Sequence, residues 1–294
     1  MRVLPRVGYH PCEDLLGAGA DCLGGRPPGP YGDRGMRDVE KRNLSQIEAL
    51  NQRGGRTLSL VDLMEAGTIS SSVVGFMLCS MAQGASVLMG AELSGAGKST
   101  LLANALGLLP PGERLVTTSS DSVIEGAVAR PPAVPECYLA HEIGSGHWYG
   151  YIWGVLVRDF FRLMDTGRRI AACLHADTLA QTEAVLKGAP LFVDDQLIAR
   201  LGLVGFVHLV EGSPPRRRLT NLYSHAPGVG LLTAFRWRES DDTHDMVSPV
   251  DAFGLDTRRF HRACGFAEEL LEDQVRSFEE VRQRVVDFYQ REGW

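Results

Sequence analysis

The sequence predicts an α/β protein whose mainly parallel sheet is covered by helices on both faces. An apolar run at 85–89 leads through a glycine-rich turn into a helix-like segment at 101–109. Further along the chain, short apolar runs alternate with helical segments, which is the pattern of consecutive strand–helix units. The chain has 294 residues, of which 44% are hydrophobic, so it can also bury a large core.

The predicted elements follow one another in a regular order, with boundaries set by apolar spacing, capping residues and breakers. Strands are predicted at 86–89, 114–118, 137–140, 169–175 and 203–209, with 217–223 as a hairpin partner. Helices are predicted at 38–52, 57–67, 73–82, 151–164, 180–186 and 268–289. The last of these is amphipathic, and we expect the chain to be mostly helical from about residue 256.

The turn after the first predicted strand has the composition of a phosphate-binding loop. Glycines let backbone N–H groups surround a phosphate at a helix N-terminus. In such loops the lysine reaches the β- and γ-phosphates and the next hydroxyl completes the shell of Mg²⁺, so ATP and Mg²⁺ are the expected cofactors. The pattern G-x-x-x-x-G-K-[ST] begins with glycine, and here Glu92 takes that position. The loop residues expected to bind the nucleotide are Ser94, Gly95, Ala96, Gly97, Lys98, Ser99 and Thr100.

Polar side chains follow three later strands. Asp121 comes after the strand at 114–118, Glu142 after 137–140, and His175 after 169–174. Open α/β sheets place ligands at the carboxyl ends of their strands, so these side chains are expected near the phosphate loop. A carboxylate there can bind the water shell of the metal or polarise the attacking water. Glu142 could instead cap the next helix, and His175 could be purely structural.

Composition excludes some classes of protein and favours others. The net charge is −6, which gives no basic field to attract nucleic acid. The six cysteines lack metal-ligand spacing, and the start of the sequence lacks the apolar core of a signal peptide, so we expect a reduced, cytosolic protein. The nearly uncharged stretch 73–90 could be a membrane span, but Gln83 and Gly84 interrupt it. A buried helix followed by a strand is therefore expected there.

Residues 57–225 resemble the secretion and pilus-assembly ATPase superfamily, the hexameric motors of type II and type IV secretion, type IV pili and archaeal flagella. The matching stretches are 58–70, 86–90, 94–102, 110–117, 139–143, 166–167 and 174–177. This resemblance implies a RecA-like fold and Mg²⁺-dependent ATP hydrolysis, with Lys98, Glu142 and His175 as catalytic residues. It also implies a homo-oligomer, expected to be a six-fold ring, at the cytoplasmic face of a membrane. The implied partner is a membrane-embedded pilus or secretion protein.

The sequence departs from that superfamily at several positions. His141 replaces the glycine of the degenerate Walker B sequence, and Gly144 replaces its arginine. The acidic box keeps only Asp121, which together with Ser99 is the candidate metal ligand. Only about 50 residues precede the matching helical stretch that begins near residue 57, so we expect most of the domain that supplies arginines to a neighbouring subunit to be missing. These departures leave an alternative open, namely a catalytically degenerate nucleotide-binding subunit with a regulatory or structural role.

The sequence also predicts how the chain is divided. Residues 1–35 are expected to be a disordered leader or the product of an over-extended gene start, because 24–32 is rich in glycine and proline. Residues 36–84 are expected to be a helical lead-in, a remnant of the N-terminal domain. The ATPase core is expected at 85–235, followed by a linker and the amphipathic helix at 236–294.

Two short stretches allow more than one interpretation. The segment 144–154 is rich in glycine, tyrosine and tryptophan, so it could pack against the sheet or form a partner-binding surface. The consecutive arginines Arg216, Arg217 and Arg218 could bind phosphate or acidic lipid, or they could form a solvated hairpin turn.

Overall fold

A computed structural model of the chain describes residues 32–51 and 54–294. Most of the leader predicted at 1–35, namely residues 1–31, lies outside the described residues. Its last residues, 32–35, belong to the first helix. The α-helices are α1 Gly32–Glu48, α2 Leu60–Glu65, α3 Ser71–Ala82, α4 Lys98–Leu106, α5 Asp121–Val128, α6 Val155–Arg162, α7 Leu179–Lys187, α8 Asp195–Ile198, α9 Thr257–Glu272 and α10 Phe278–Glu292. The strands are β1 Val87–Gly90, β2 Arg114–Thr117, β3 Glu136–Ile143, β4 Tyr151–Ile152, β5 Arg169–Leu174, β6 Leu203–Val210, β7 Arg216–Ala226, β8 Gly230–Arg238 and β9 Thr243–Met246.

The strands form a single nine-stranded sheet in the order β2-β3-β5-β1-β6-β7-β8-β9, with β4 beside the end of β3. From β2 to β6 the neighbouring strands are parallel, and β7, β8 and β9 extend the sheet as antiparallel hairpins. The strand before the phosphate loop, β1, is thus separated from β3 by β5. This order is the RecA-like arrangement, and it confirms the predicted fold class.

Side chains of successive strand residues enter two separate cores, because they point to opposite faces of the sheet. Val87 and Met89 enter the larger core, which is completed mainly by α2, α3, α4, α9 and α10. Leu88, between them, enters the second core, which is completed by helices α5 to α8. Helices therefore cover both faces of the sheet, as the apolar runs in the strands predict.

The uncharged stretch 73–90 forms a buried helix and a strand rather than a membrane span. Helix α3 begins at a Ser70 cap, and its residues from Val73 to Met81 are all buried. It ends before Gly84, where φ is +95°, and the chain then enters β1. No helix in the described part of the chain has the length and apolar character needed to cross a bilayer.

Several sequence-based element assignments were wrong or incomplete, and helices α5 and α8 were not predicted. The helix predicted at 151–164 begins with the short strand β4, and α6 starts only at Val155. The hairpin strands β8 and β9 were not predicted. The C-terminal region is helical from Thr257, as expected, but its amphipathic segment is divided into α9 and α10. The break falls at Gln274, whose φ is +53°, and Ser277 then caps α10.

Helix α10 is bonded to both the lead-in and the end of α4. The buried guanidinium of Arg282 forms an ion pair with Glu40 of α1 at 2.8 Å. It also donates to the backbone carbonyls of Gly107 and Leu109, just beyond α4. The Tyr289 hydroxyl donates to the carbonyl of Leu108 at 2.8 Å. These bonds give partners to backbone carbonyls of the turn that follows α4, which would be costly to leave unpaired in the interior.

Candidate functional site

The phosphate loop connects β1 to α4 and requires glycine where it enters the helix. Gly97 precedes the first residue of α4 and has φ of +114°, a conformation that side chains with a Cβ rarely adopt. A Cβ at this position would also lie 3.3 Å from Cδ of Arg217. The N–H groups of the first turn of α4 face the loop without partners in the helix, which is the arrangement that binds phosphate.

Glu92, which replaces the first glycine of the pattern, is accommodated without strain. The non-glycine residues with positive φ in the described chain are Phe192, Asp242 and Gln274, so Glu92 does not need glycine. Its N–H donates to Oδ1 of Asp177 at 2.7 Å, and its carbonyl lies 2.8 Å from Nδ1 of His175. The Glu92 residue itself is exposed and does not line the cavity described below. Its carboxylate therefore leaves room for a phosphate.

Lys98, Glu142 and His175 form one cluster beside this loop. Nζ of Lys98 donates to the Ala91 carbonyl at 3.1 Å and lies 3.6 Å from Oε2 of Glu142. Because a carbonyl only accepts hydrogen bonds, Nδ1 of His175 is the protonated nitrogen in its contact with Glu92. Nε2 of His175 is then free to accept from Lys98 Nζ, 3.3 Å away. The predicted catalytic residues are thus within contact distance of one another.

The electrostatics of Glu142 follow from its burial. Glu142 is 5% exposed, and burial raises the pKa of its carboxyl group, while Lys98 and His175 oppose that rise. Its Oε1 atom has no hydrogen-bonding partner among the described residues. A buried carboxylate with one oxygen free and a raised pKa is suited to accept a proton from a bound water.

A β-bulge determines the direction in which this part of β3 faces. Ala140 pairs with Ala172 and Ile143 pairs with Leu174, so β3 has one extra residue between these pairs. Ala140 and Ile143 consequently both enter the second core, although they are three positions apart. The bulged residues His141 and Glu142 lie between them and both line the cavity. Bulges that redirect side chains are common next to active sites.

The cluster opens into a cavity of about 880 Å³ that runs from the phosphate loop to the helical lead-in. At the loop end it is lined by Ser94, Gly95, Gly97, Lys98, Ser99, Thr100, Glu142 and His175. At the lead-in end, apolar Ile47, Leu50 and Leu63 lie beside polar Asn51 and Thr57. A cavity with a cationic, N–H-rich end and an apolar end suits a nucleotide.

The other predicted site residues lie outside this cavity. Ala96 is 1% exposed and is buried under the loop rather than lining the cavity. Asp121 is the exposed first residue of α5, and it does not line the cavity either. Within the described ranges, no group of three or more His, Cys, Asp and Glu side chains could hold a metal alone. The Ser99 hydroxyl fits Mg²⁺ bound to a nucleotide, because that ion takes most of its ligands from water and phosphate.

Arg217 is one of the three consecutive arginines for which the sequence leaves phosphate binding and a solvated hairpin turn as alternatives, and its guanidinium reaches the phosphate loop. Arg216 and Arg218 are both paired with Asp242, at 2.8 and 2.5 Å. Arg217 lies between them on β7, lines the cavity, and donates from Nη2 to the Gly95 carbonyl at 3.1 Å. In the described part of the chain its guanidinium has no carboxylate partner. The available signal was the strand itself, because the middle residue of three points to the opposite face from its neighbours.

The aromatic segment after β3 is partly exposed. The exposed fractions are 67% for Trp148, 57% for Tyr149 and 39% for Trp153. Tyr151 instead lines the cavity, with its ring 5.1 Å from that of Trp148. Packing against the sheet therefore does not account for the whole segment.

Comparison with known proteins gives a remote structural similarity. The sequence matches no protein-family profile and none of the curated proteins. Among solved structures, one similar chain is the VirB11 ATPase from the Brucella suis type IV secretion system, crystallised in complex with sulphate. The two chains are 15% identical with a TM-score of 0.38, and the match covers 74% of this chain and 66% of that one. At this TM-score, nothing about the activity of this chain follows from the similarity.

Proposed function

We propose that this chain binds ATP with Mg²⁺ and hydrolyses it. The observation that carries the proposal is the contact of Lys98, Glu142 and His175 in a cavity that begins at the phosphate loop. Phosphate-loop enzymes need a lysine on the terminal phosphates and a residue that orients water, and these residues are suited to those roles. The proposed nucleotide-binding residues are Ser94, Gly95, Ala96, Gly97, Lys98, Ser99 and Thr100.

The geometry supports a specific role for each residue. Lys98 would exchange its contact with the Ala91 carbonyl for the β- and γ-phosphates, and His175 would contact the γ-phosphate side. Mg²⁺, held by Ser99, would neutralise phosphate charge when bound, whereas Asp121, the other predicted metal ligand, does not line the cavity. Water would attack the γ-phosphorus as the bond to the β,γ-bridging oxygen breaks, and its proton would pass to Glu142.

The cellular role is proposed from the motif resemblance between residues 57 and 225. We infer a motor or motor-like subunit of a pilus-assembly or type II or type IV secretion apparatus, in the cytoplasm and peripheral to the membrane. Its partner would be a membrane-embedded protein of that apparatus. Arg217 supports retained hydrolysis, since a guanidinium near the phosphates can stabilise the charge that builds up on the transferred phosphoryl group.

A catalytically degenerate nucleotide-binding subunit is the second candidate. The observation that favours it is the position of Asp121, which is exposed on α5 and away from the cavity. Such a subunit would bind ATP in the same cavity and use it to shape an interface. The two candidates therefore differ in turnover and not in binding.

Phosphate release from the purified protein, measured together with the Kd for ATP, tests the proposal. Lys98→Ala should lose most ATP binding. Glu142→Gln should still bind ATP but turn it over about 100-fold more slowly or worse, because it removes the proton acceptor. Glu125→Gln, an exposed site on α5, is the matched control and should behave like the wild type. ATP bound without turnover, even at high protein concentration, would select the degenerate candidate, and a wild type that binds no ATP would contradict both.

A further inference from the structure

His141 is a buried residue of the cavity wall to which the proposed reaction gives no role. It lines the same cavity as Glu142 and is only 3% exposed. The aromatic segment packs against it, with the ring of Tyr149 edge-on at 5.3 Å. A Cβ at Gly150 would lie 2.7 Å from Cγ of His141, so the imidazole is held against backbone. The backbone N–H of His141 donates to the Gly150 carbonyl at 2.8 Å.

The imidazole of His141 has unused hydrogen-bonding capacity. Neither Nδ1 nor Nε2 has a partner among the residues that the structure describes. Burial lowers the pKa of His141 to about 4, so at neutral pH the ring offers one N–H donor and one nitrogen acceptor. Leaving such atoms unpaired in a protein interior is destabilising, and an apolar side chain of similar size would avoid that cost.

The neighbouring residue has the same property. Oε1 of Glu142 is also buried without a partner in the described chain, whereas its Oε2 faces Lys98 and His175. The β-bulge at this point brings two consecutive side chains to the cavity wall instead of one. Unpaired acceptors on adjacent residues are suited to one small molecule that can donate two hydrogen bonds.

We propose that His141 is a further catalytic residue, which binds the attacking water together with Oε1 of Glu142. This inference rests on the proposed ATP hydrolysis. One proton of the water bonds to Oε1 and moves to Glu142 as the oxygen–phosphorus bond forms and the bond to the leaving ADP breaks. The other proton bonds to the unprotonated nitrogen of His141, which remains neutral and fixes the direction of attack.

The test compares His141→Leu, His141→Gln and the control His147→Leu, in which an exposed histidine of the adjoining segment is changed. His141→Leu should lower turnover about 10- to 100-fold, as for other positioned hydrogen bonds, with the Kd for ATP within about threefold of wild type. It should weaken binding of ADP with aluminium fluoride, which mimics the transferred phosphoryl group, and leave ADP binding unchanged. His141→Gln should recover part of both losses.

Thermal unfolding separates this role from a structural one. If His141 is kept for catalysis, His141→Leu should unfold at the same temperature as wild type or higher. A lower unfolding temperature together with lost ATP binding would assign His141 to the scaffold and overturn the inference. Turnover of His141→Leu within twofold of a hydrolysing wild type would overturn it as well, while leaving the proposed function intact. A wild type that binds ATP without turnover would contradict both the proposed hydrolysis and the catalytic role of His141.

Discussion

Arg217 lies between two arginines whose guanidinium groups are paired with Asp242, but among the described residues its own guanidinium bonds only to the Gly95 carbonyl. A cation that bonds to a neutral carbonyl at the edge of a phosphate loop is available to a phosphate. Charge-assisted bonds from arginine to phosphate are stronger than its bond to a carbonyl, so a nucleotide would draw Arg217 away from Gly95. The cation that stabilises the phosphates would then come from the same chain as the phosphate loop, and not from a neighbouring subunit.

We expect Arg217→Ala to weaken ATP binding about tenfold or more, the typical effect of losing a hydrogen bond to a charged group. ADP should be affected less if the guanidinium faces the γ-phosphate. Binding of a fluorescent ATP analogue and of ADP measures both effects. The matched control is Arg238→Ala, because Arg238 is exposed and paired with Asp241 and Asp245 away from the cavity. Equal losses for the two variants would contradict a specific role for Arg217.

The residues that the sequence could identify lie at or just beyond the carboxyl end of a parallel strand. Glu142 and His175 lie near Lys98 because the strand ends meet at one edge, which apolar runs alone predict. His141 and Arg217 could not be assigned in this way. The orientation of His141 depends on a bulge within β3, and that of Arg217 on the register of a hairpin. Strand alternation indicates that Arg217 points to the opposite face from Arg216 and Arg218, but not which face lies at the cavity, and no local signal indicates the bulge at His141.

At the scale of elements, the antiparallel hairpins hold the arginines of β7 in place. Asp242 lies in the turn between β8 and β9, with φ of +55°, and pairs with Arg218 through both carboxylate oxygens. It also accepts from Arg216 and from Nε1 of Trp237, both at 2.8 Å. The hydrogen bond from Arg218 lowers the pKa of Asp242 well below its usual range, with smaller contributions from Trp237 and Arg216.

Asp242→Asn should therefore destabilise the protein at neutral pH. The buried guanidinium of Arg218 loses its anion, and we expect a loss of about 1–2 kcal/mol, discounted because a third of Asp242 is solvent-exposed. Because the folded-state pKa is depressed, this stabilisation is present above the unfolded pKa of about 3.9 and is lost as pH falls below it. Urea unfolding at pH 7 and pH 3 should show a smaller difference for the variant than for wild type. Asp241→Asn, at an exposed pair, should change little, and the same loss in both variants would contradict this account.

The strands that the sequence analysis missed are those whose formation depends on pairing with a neighbouring strand. Strand β4 has only two residues and exists because its backbone pairs with the end of β3. Strands β8 and β9 are half-exposed hairpins, so they lack the continuous apolar runs that mark the parallel strands. By contrast, β1, β5 and β6 are buried between other strands and were predicted nearly to the residue. A strand that is buried on both faces has a continuous apolar run, and that run allows it to be predicted from sequence.

At the scale of the whole molecule, we predict a weak homo-oligomer that forms with nucleotide, expected to be a six-fold ring. Trp148, Tyr149 and Trp153 expose apolar surface on the segment that adjoins the cavity, where a neighbouring subunit could cover it. Because Arg217 can supply a cation to the phosphates from the same chain, the nucleotide site would not depend on an arginine from a neighbouring subunit. Assembly would only add contacts to a site that each chain already forms. Light scattering with and without a non-hydrolysable ATP analogue measures this. A monomer in both states, with a specific rate independent of protein concentration, would contradict the prediction for the isolated chain.

The ion pair between Glu40 and Arg282 has a consequence for biosynthesis, since it joins residues 242 positions apart. At roughly 5–20 residues per second, Arg282 is made about 12–50 s after Glu40. Until then α1 lacks its ionic partner, and the carbonyls after α4 that Arg282 and Tyr289 bond have only water. Long-range contacts of this kind form late, because a large loop must first close. Although the phosphate loop is translated early, the bonds from α10 to the turn that follows α4 form only after α10 has left the ribosome.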